Sequence, residues 1–151
     1  MKISTKSRYG LRTLVELAAS TPGEQIPLIH IAERQNLSVN YLEQVFALLK
    51  KAHIVKSVKG AQGGYVLAKA PEEITVGDII RAIEGDLLVV EEEIKKDETS
   101  LIYQSMQACL QKKVWDKISE SVQHVVDEIT LEDLRKDYQA KTNTDTEMYY
   151  I

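Results

Sequence analysis

Two side-chain amides lie four residues apart, at Asn40 and Gln44. Residues with this spacing share one face of an α-helix, and here that face points away from the apolar positions Leu42, Val45 and Phe46. A side-chain amide offers a donor and an acceptor together, which matches the major-groove edge of adenine. The spacing therefore predicts a helix that reads base edges, with Gln44 the better candidate for sequence recognition.

Two further polar residues accompany these amides near the start of the same helix. Ser38 is predicted to cap it, because a serine hydroxyl accepts a free backbone N–H of the first turn. Tyr41 points to the same side as the amides and could read a base, contact a phosphate or pack against the protein. We count Ser38, Asn40, Tyr41 and Gln44 as candidate DNA-binding residues.

The elements around this helix form a predicted winged helix. Apolar residues at helical spacing predict a helix within residues 5–20, a short helix opened by Pro27, and the reading helix from Ser38 to about Ala52. Strands are predicted at 54–58 and 65–67, joined by a loop with three glycines that can adopt positive φ. A helix-turn-helix followed by such a hairpin is the winged-helix order.

Charge separates the two halves of the chain. Residues 1–70 carry ten Lys and Arg against four Asp and Glu, whereas residues 71–151 carry nine against nineteen, and the net charge is −4. A basic N-terminal half is what a protein that faces a polyanion needs. Two solvated faces of opposite charge would give the same count, so the charge supports DNA binding without establishing it.

The second half is predicted to be helical. Thr75-Val76-Gly77-Asp78 resembles a capping box for a helix that stops at Gly85, and residues 86–98 read as a charged connection. Apolar residues recur at steps of three and four from about Ser100 to Ile129, which predicts a long helix. We expect it to pack on the same helix of a second subunit, although packing on its own domain stays open.

The predicted fold class is mainly α, with three parts. Residues 1–70 form the winged helix-turn-helix DNA-binding domain. Residues 71–138 hold a linker helix, a charged loop and the long dimerisation helix, followed by a short last helix that Thr130 begins. Residues 139–151 form a flexible C-terminal tail.

Short motifs along nearly the whole chain form one ordered series. They are Lys2-Ile3-Ser4-Thr5-Lys6-Ser7-Arg8-Tyr9, Tyr41-Leu42-Glu43-Gln44, Lys59-Gly60-Ala61-Gln62-Gly63-Gly64-Tyr65, Val76-Gly77-Asp78-Ile79-Ile80, Cys109-Leu110 before Trp115, and Ile129-Thr130-Leu131-Glu132-Asp133-Leu134. The series resembles the Rrf-two family of bacterial regulators. That resemblance implies a homodimer that binds a palindromic double-stranded DNA site, most often as a repressor.

The resemblance also implies roles for the wing and for the N-terminal arm. Lys59 stands where the family usually has an arginine that enters the minor groove, and lysine keeps the charge without the planar fork. Gly60, Gly63 and Gly64 would let the wing backbone approach the sugar–phosphate chain. The arm is expected to clamp phosphates without reading bases; its residues are Lys2, Ser4, Thr5 and Lys6.

One cysteine, Cys109, remains of the three that ligate an iron–sulfur cluster in some members of the family. The family's spacing places Tyr103 and Asp97 at the other two positions, and neither supplies a thiolate. We therefore expect no cofactor, no iron–sulfur cluster and no metal. Cys109 is predicted to be a buried small side chain, but reversible oxidation stays open because Lys112 and Lys113 lie one turn away.

The chain ends in Tyr149, Tyr150 and Ile151. This ending resembles that of the cysteine-metabolism repressors of the family, whose partner is cysteine synthase. A terminal carboxylate held by backbone N–H groups, with an aromatic ring in an apolar pocket, is one way to bind such a partner. A frayed terminus or a tail packed on its own dimer would also fit.

The sequence thus predicts a cytoplasmic transcription regulator and no enzyme. No leader or membrane-spanning run is evident, and scattered histidines form neither a metal site nor a catalytic triad. A regulator that responds to oxidation of Cys109, or to a small molecule in a dimer pocket, is one alternative. A protein-interaction scaffold with a degenerate winged helix is another.

Overall fold

The N-terminal half forms the predicted helix-turn-helix and hairpin. The protein is represented by a computed structural model that describes residues 2–61, 63–90 and 100–149. Its elements in this half are α1 Thr5–Ala19, α2 Leu28–Gln35, α3 Val39–Lys51, β1 Val55–Val58 and β2 Gly64–Leu67. The winged helix-turn-helix is therefore confirmed, with bounds close to the predicted ones.

Local hydrogen bonds explain where these helices start and stop. The hydroxyl of Ser38 accepts the backbone N–H of Tyr41 at 3.1 Å, so Ser38 caps α3 as predicted. Ser4 caps α1 in the same way, through the N–H of Ser7. Asn36 ends α2 in the left-handed conformation, which asparagine tolerates better than most residues.

The wing is a short antiparallel pair with one extra bridge. Val55 pairs with Leu67 and Val58 with Gly64. Ile26, just before α2, exchanges two backbone hydrogen bonds with Tyr65, at 3.0 and 3.1 Å. A Cβ on Gly64 would lie 3.1 Å from the backbone of Ile26, so this close approach favours glycine. The bridge ties the wing to the segment between the first two helices.

The second half is helical, as predicted. A capping box at Thr75 starts the fourth helix and Gly85 ends it. The long predicted helix is present as two α-helical segments joined by a π-helical turn, and we call residues 101–128 the long helix. No helix in the described ranges is both long and apolar enough to cross a membrane. The elements are a 3-10 turn Pro71–Glu73, α4 Val76–Glu84, α5 Leu101–Leu110, the π turn Gln111–Trp115, α6 Asp116–Glu128 and α7 Leu131–Tyr149.

The hydrophobic core does not end with the wing. Phe46 and Leu14 are completely buried among the first three helices. Ile79 of α4 and Leu131 at the start of α7 belong to the same cluster, and both are 0% exposed. The helix-turn-helix, the wing, α4 and the start of α7 therefore share one core.

The last helix is longer than the sequence pattern predicted. α7 continues through Tyr149, so the backbone of residues 139–149 is helical, where a flexible tail was expected. Few apolar residues mark its second half, which is why the sequence pattern predicted only a short last helix. Besides the buried Leu131, polar contacts support α7: a capping box of Thr130 and Asp133, and a Lys141–Asp137 ion pair at 2.6 Å between successive turns.

Candidate DNA-binding surface

The third helix presents a polar face to solvent. Leu42, Val45 and Phe46 are 0% exposed and fix the helix on the core. Asn40 and Gln44 are both exposed on the opposite side. The structure thus separates the two faces as the sequence pattern predicted. An exposed pair of amides one turn apart can hydrogen-bond to base edges in a major groove.

Tyr41 sits between the exposed face and the core. Its ring is partly buried and meets the ring of Tyr9 of α1 edge to face, with centroids 6.0 Å apart. The guanidinium of Arg12 lies 5.2 Å from the centre of the Tyr9 ring. These contacts favour a packing role for Tyr41, which the sequence left open beside base reading and phosphate contact.

Glu43 also lies on the reading face, although it was not among the predicted site residues. It is exposed on α3 next to Gln44, three residues after Asn40. A carboxylate can only accept hydrogen bonds, which suits the N4 amino group of cytosine, and it repels phosphate. Its position was visible from helical spacing, so the same pattern that selected Gln44 could have found it.

The wing carries an exposed basic residue in its loop. Lys59 and Gly60 are exposed in the loop after β1. The N–H of Gly63 bonds to the carbonyl of Gly60 at 3.2 Å, and Gly63 has φ +64°, so this turn requires the left-handed conformation that glycine provides. Gly63 and Gly64 are therefore required by the backbone geometry of the hairpin, and this structural role is compatible with a close approach to DNA.

The N-terminal arm is tied to α4. Ser4 donates its backbone N–H to Oε1 of Glu84 at 2.7 Å. Burial favours the neutral form of Glu84 and by itself would raise its pKa. Hydrogen bonds to the carboxylate, among them those from Ser4, outweigh this burial effect, so the pKa of Glu84 is lowered. Lys2 and Thr5 are exposed and Lys6 is half-buried. A phosphate contact by these three residues stays a prediction, and the backbone N–H of Ser4 is already bonded to Glu84.

Two aromatic contacts pack the predicted DNA-binding segments against one another. The Tyr9–Tyr41 contact joins the start of α1, which follows the arm, to the start of α3. The Phe46 and Tyr65 rings, with centroids 4.9 Å apart, join α3 to the second strand of the wing. α1, α3 and the wing are thus packed as one unit, which is the arrangement of a winged helix-turn-helix.

Comparison with known proteins agrees with this arrangement. A model of the Rrf2 family, described as an iron-dependent transcriptional regulator, matches residues 3–137. The chain belongs to the Rrf2 family. It is a transcriptional regulator of that family and not an enzyme.

Individual Rrf2 relatives match over most of their length. The HTH-type transcriptional regulator CymR of Bacillus subtilis is 44% identical over 134 residues, which is 89% of each chain. A solved structure of B. subtilis CymR superposes with a TM-score of 0.72 at 42% identity, over 90% of this chain and 97% of that one. T. potens IscR superposes with a TM-score of 0.69 at 43% identity, over 91% and 88% of the two chains.

Cys109 is exposed on α5. The expectation of a buried small side chain is therefore wrong for the single chain. The reason is that α5 has no covering element here: none of its ten residues, all within the described part of the chain, is buried. Burial of a cysteine on this helix depends on what packs against it, which helical spacing alone does not give.

The donors in this chain do not fit an iron–sulfur cluster. The sequence holds one cysteine, whereas protein iron–sulfur clusters are held by several cysteine thiolates. Tyr103 lies on α5, and Asp97 lies outside the described residues. In the described ranges no group of three or more His, Cys, Asp or Glu is placed to hold a metal ion. Within those ranges, the iron named in the family's description therefore has no ligand set.

The C-terminal residues are only partly described. Tyr149 is the last residue of α7. Tyr150 and Ile151 lie outside the described residues. Partner binding through this ending stays a prediction.

Proposed function

We propose that this Rrf2-family regulator is a homodimer that binds a palindromic operator in the bacterial cytoplasm and represses transcription. One observation carries the proposal: α5 is apolar and uncovered. Leu101 and Ile102 are each 79% exposed, and Met106 is 57% exposed. Side chains of this kind rarely stay in water as a contiguous surface unless they meet a partner. A second copy of the same helix would cover them and place two reading helices on one DNA.

The dimer can be tested with two matched substitutions. Ile102→Asp puts a charge into the proposed interface, whereas Ile29→Asp makes the same change at a 51% exposed isoleucine of α2. Light scattering on a sizing column should give a dimer for the wild type and Ile29→Asp, and a monomer for Ile102→Asp. A monomeric wild type, or a dimeric Ile102→Asp, would contradict the proposed interface.

Operator binding requires a defined probe. We take a palindromic duplex selected from random-sequence DNA by the wild-type protein, and call it the selected palindrome. In transcription with purified polymerase, the wild type should block a promoter that overlaps this site. Activation or no effect would contradict the repressor role.

We place the regulator in cysteine or sulfur metabolism, with cysteine synthase as its partner. Support comes from the 44% identity to CymR, whose solved structure is described as that of the global cysteine regulator of B. subtilis, and from the aromatic ending of this chain. Deleting Tyr150 and Ile151 should abolish binding to purified cysteine synthase. Adding one glycine after Ile151 keeps both side chains but moves the carboxylate, and it should weaken binding as well. Unchanged affinity of the deletion variant for cysteine synthase would contradict partner binding through this ending.

The regulator is also proposed to work without an iron–sulfur cluster, since the chain supplies too few thiolates. The protein purified without oxygen should show no visible absorption band. A coloured protein with stoichiometric iron and sulfide would overturn this part of the proposal.

A redox response of Cys109 is the second candidate, because the thiol is exposed and reactive thiols are the accessible ones. One solved relative is described as the oxidized form of Staphylococcus aureus CymR. Peroxide should then lower the affinity of the wild type for the selected palindrome and leave Cys109→Ser unchanged. Equal responses of the two proteins would eliminate the switch.

A further inference from the structure

The turn between α6 and α7 is strapped to the start of α4. The N–H of Val76 bonds to the carbonyl of Ile129, and the N–H of Leu131 bonds to the carbonyl of Ile74, each at 2.8 Å. Between them, Thr75 and Thr130 pair as an isolated antiparallel bridge. Backbone hydrogen bonds therefore join the end of the long helix to the start of α4, which belongs to the core of the winged domain. These bonds leave little freedom for the two helices to slide past each other.

An ion pair braces the same corner from the side. Arg81 of α4 donates from Nη1 to Oδ1 of Asp127 at 2.7 Å and from Nη2 to Oδ2 at 2.8 Å. Two parallel bonds between planar groups fix an angle as well as a distance. The brace thus holds the last turn of α6 in one orientation relative to α4.

Gly77 makes room for this brace. A Cβ at position 77 would lie 2.0 Å from Oδ1 of Asp127 and 2.8 Å from Nη1 of Arg81. Gly77 is buried under the pair, whereas the side chains of Arg81 and Asp127 are 29% and 44% exposed. The glycine in the Val76-Gly77-Asp78 motif is therefore explained by packing against the carboxylate, and the pair itself lies at the surface.

Small rotations at this corner become large displacements along the long helix. Residues 101–128 extend over about 42 Å at about 1.5 Å of rise per residue. A rotation of about 5° moves the far end of a helix of that length by about 3.7 Å, which is close to the ~3.4 Å rise of one base pair. In a dimer joined through this helix, the corner angle would set how far apart the two reading helices lie.

We propose that Arg81 and Asp127, seated on Gly77, are positioning residues that set the spacing between the two half-sites the dimer recognises. This inference rests on the proposed function, because it needs a dimer on palindromic DNA. The residues act on DNA only through the angle they hold.

The test measures affinity against spacing. The probes are the selected palindrome and four derivatives in which one or two base pairs are added or removed at its centre. Arg81→Lys keeps the charge without the planar fork, and Gly77→Ala displaces the carboxylate. The matched control is Arg135→Lys, because Arg135 makes the same kind of paired contact, but with Glu132 of its own helix α7.

We expect Arg81→Lys and Gly77→Ala to flatten or shift the dependence of affinity on half-site spacing. The preference for the best-bound spacing should fall at least threefold. Arg135→Lys should keep the wild-type profile. Light scattering and thermal unfolding check that each variant is a folded dimer, and Asp127→Asn provides a milder variant at an exposed side chain if Gly77→Ala does not fold. Wild-type profiles in folded Arg81→Lys and Asp127→Asn would overturn the inference while leaving the DNA-binding function intact. If the wild type had no affinity for any palindrome, the proposed DNA-binding function would be contradicted, and this inference would fail with it.

Discussion

Gln44→Ala is expected to lower affinity for the selected palindrome about 5- to 150-fold, the equivalent of ~1–3 kcal/mol for one bidentate amide–adenine pair. The magnitude follows from where the side chain lies. Gln44 is exposed, and its neighbours Val45 and Phe46 are 0% exposed and hold the helix in place. Removing the amide therefore leaves the core and the helix unchanged, and the reduction in binding free energy is that of the interaction with DNA.

The assay is fluorescence anisotropy with the selected palindrome and with a random duplex of equal length. Gln44→Ala should bind the palindrome more weakly and keep most of its affinity for random DNA. Lys6→Ala is the control, because a phosphate contact carries no sequence information. It should weaken both duplexes alike and reduce the slope of log affinity against log salt by about 0.9 for each phosphate that the variant no longer neutralises. Equal reductions for Gln44→Ala on the two duplexes would refute the separation of reading and clamping residues.

Three other changes have defined outcomes. Leu131→Ala should destabilise the protein by about 2–5 kcal/mol in urea unfolding, because this fully buried leucine completes the winged domain's core; a cost below about 1 kcal/mol would mean that α7 is not part of it. Lys59→Arg should raise affinity for palindromes with a narrow A-tract minor groove beside each half-site, measured against G·C-rich flanks, and no gain would remove Lys59 from that groove. The hydrogen bonds from Arg81 hold the pKa of Asp127 below its ordinary value. The ion pair therefore stabilises the fold above about pH 4, and this stabilisation is lost as the pH falls through the lowered pKa. Asp127→Asn should therefore cost up to about 1 kcal/mol near pH 7, with the difference from wild type shrinking below pH 4; a constant difference would contradict the pair's contribution.

Local signals predicted most of the DNA-binding half. Caps, glycine turns and apolar spacing act over a few residues, so Ser38, the wing glycines and the buried face of α3 could be assigned from the sequence. The separation of Gln44 from Val45 and Phe46 follows from helical geometry alone. These features need no knowledge of what lies elsewhere in the chain.

Contacts between distant segments could not be predicted in this way. The pairing of Arg81 with Asp127 and the hydrogen bond from Ser4 to Glu84 join residues far apart in the sequence. The length of α7 was missed because polar pairs support it. The exposure of Cys109 was missed because it depends on a surface that the single chain does not cover.

Salt-dependent affinity of the wild-type dimer tests the central claim most directly. The claim is that basic residues of the N-terminal half bind the DNA phosphates, while α3 recognises the base sequence. Affinity for the selected palindrome should fall by about 10³-fold or more between about 50 and 200 mM salt if six or more phosphates are contacted. At each salt concentration it should stay at least about 10³-fold above affinity for random DNA. An affinity that ignores salt, or that is equal for the two duplexes, would contradict the account.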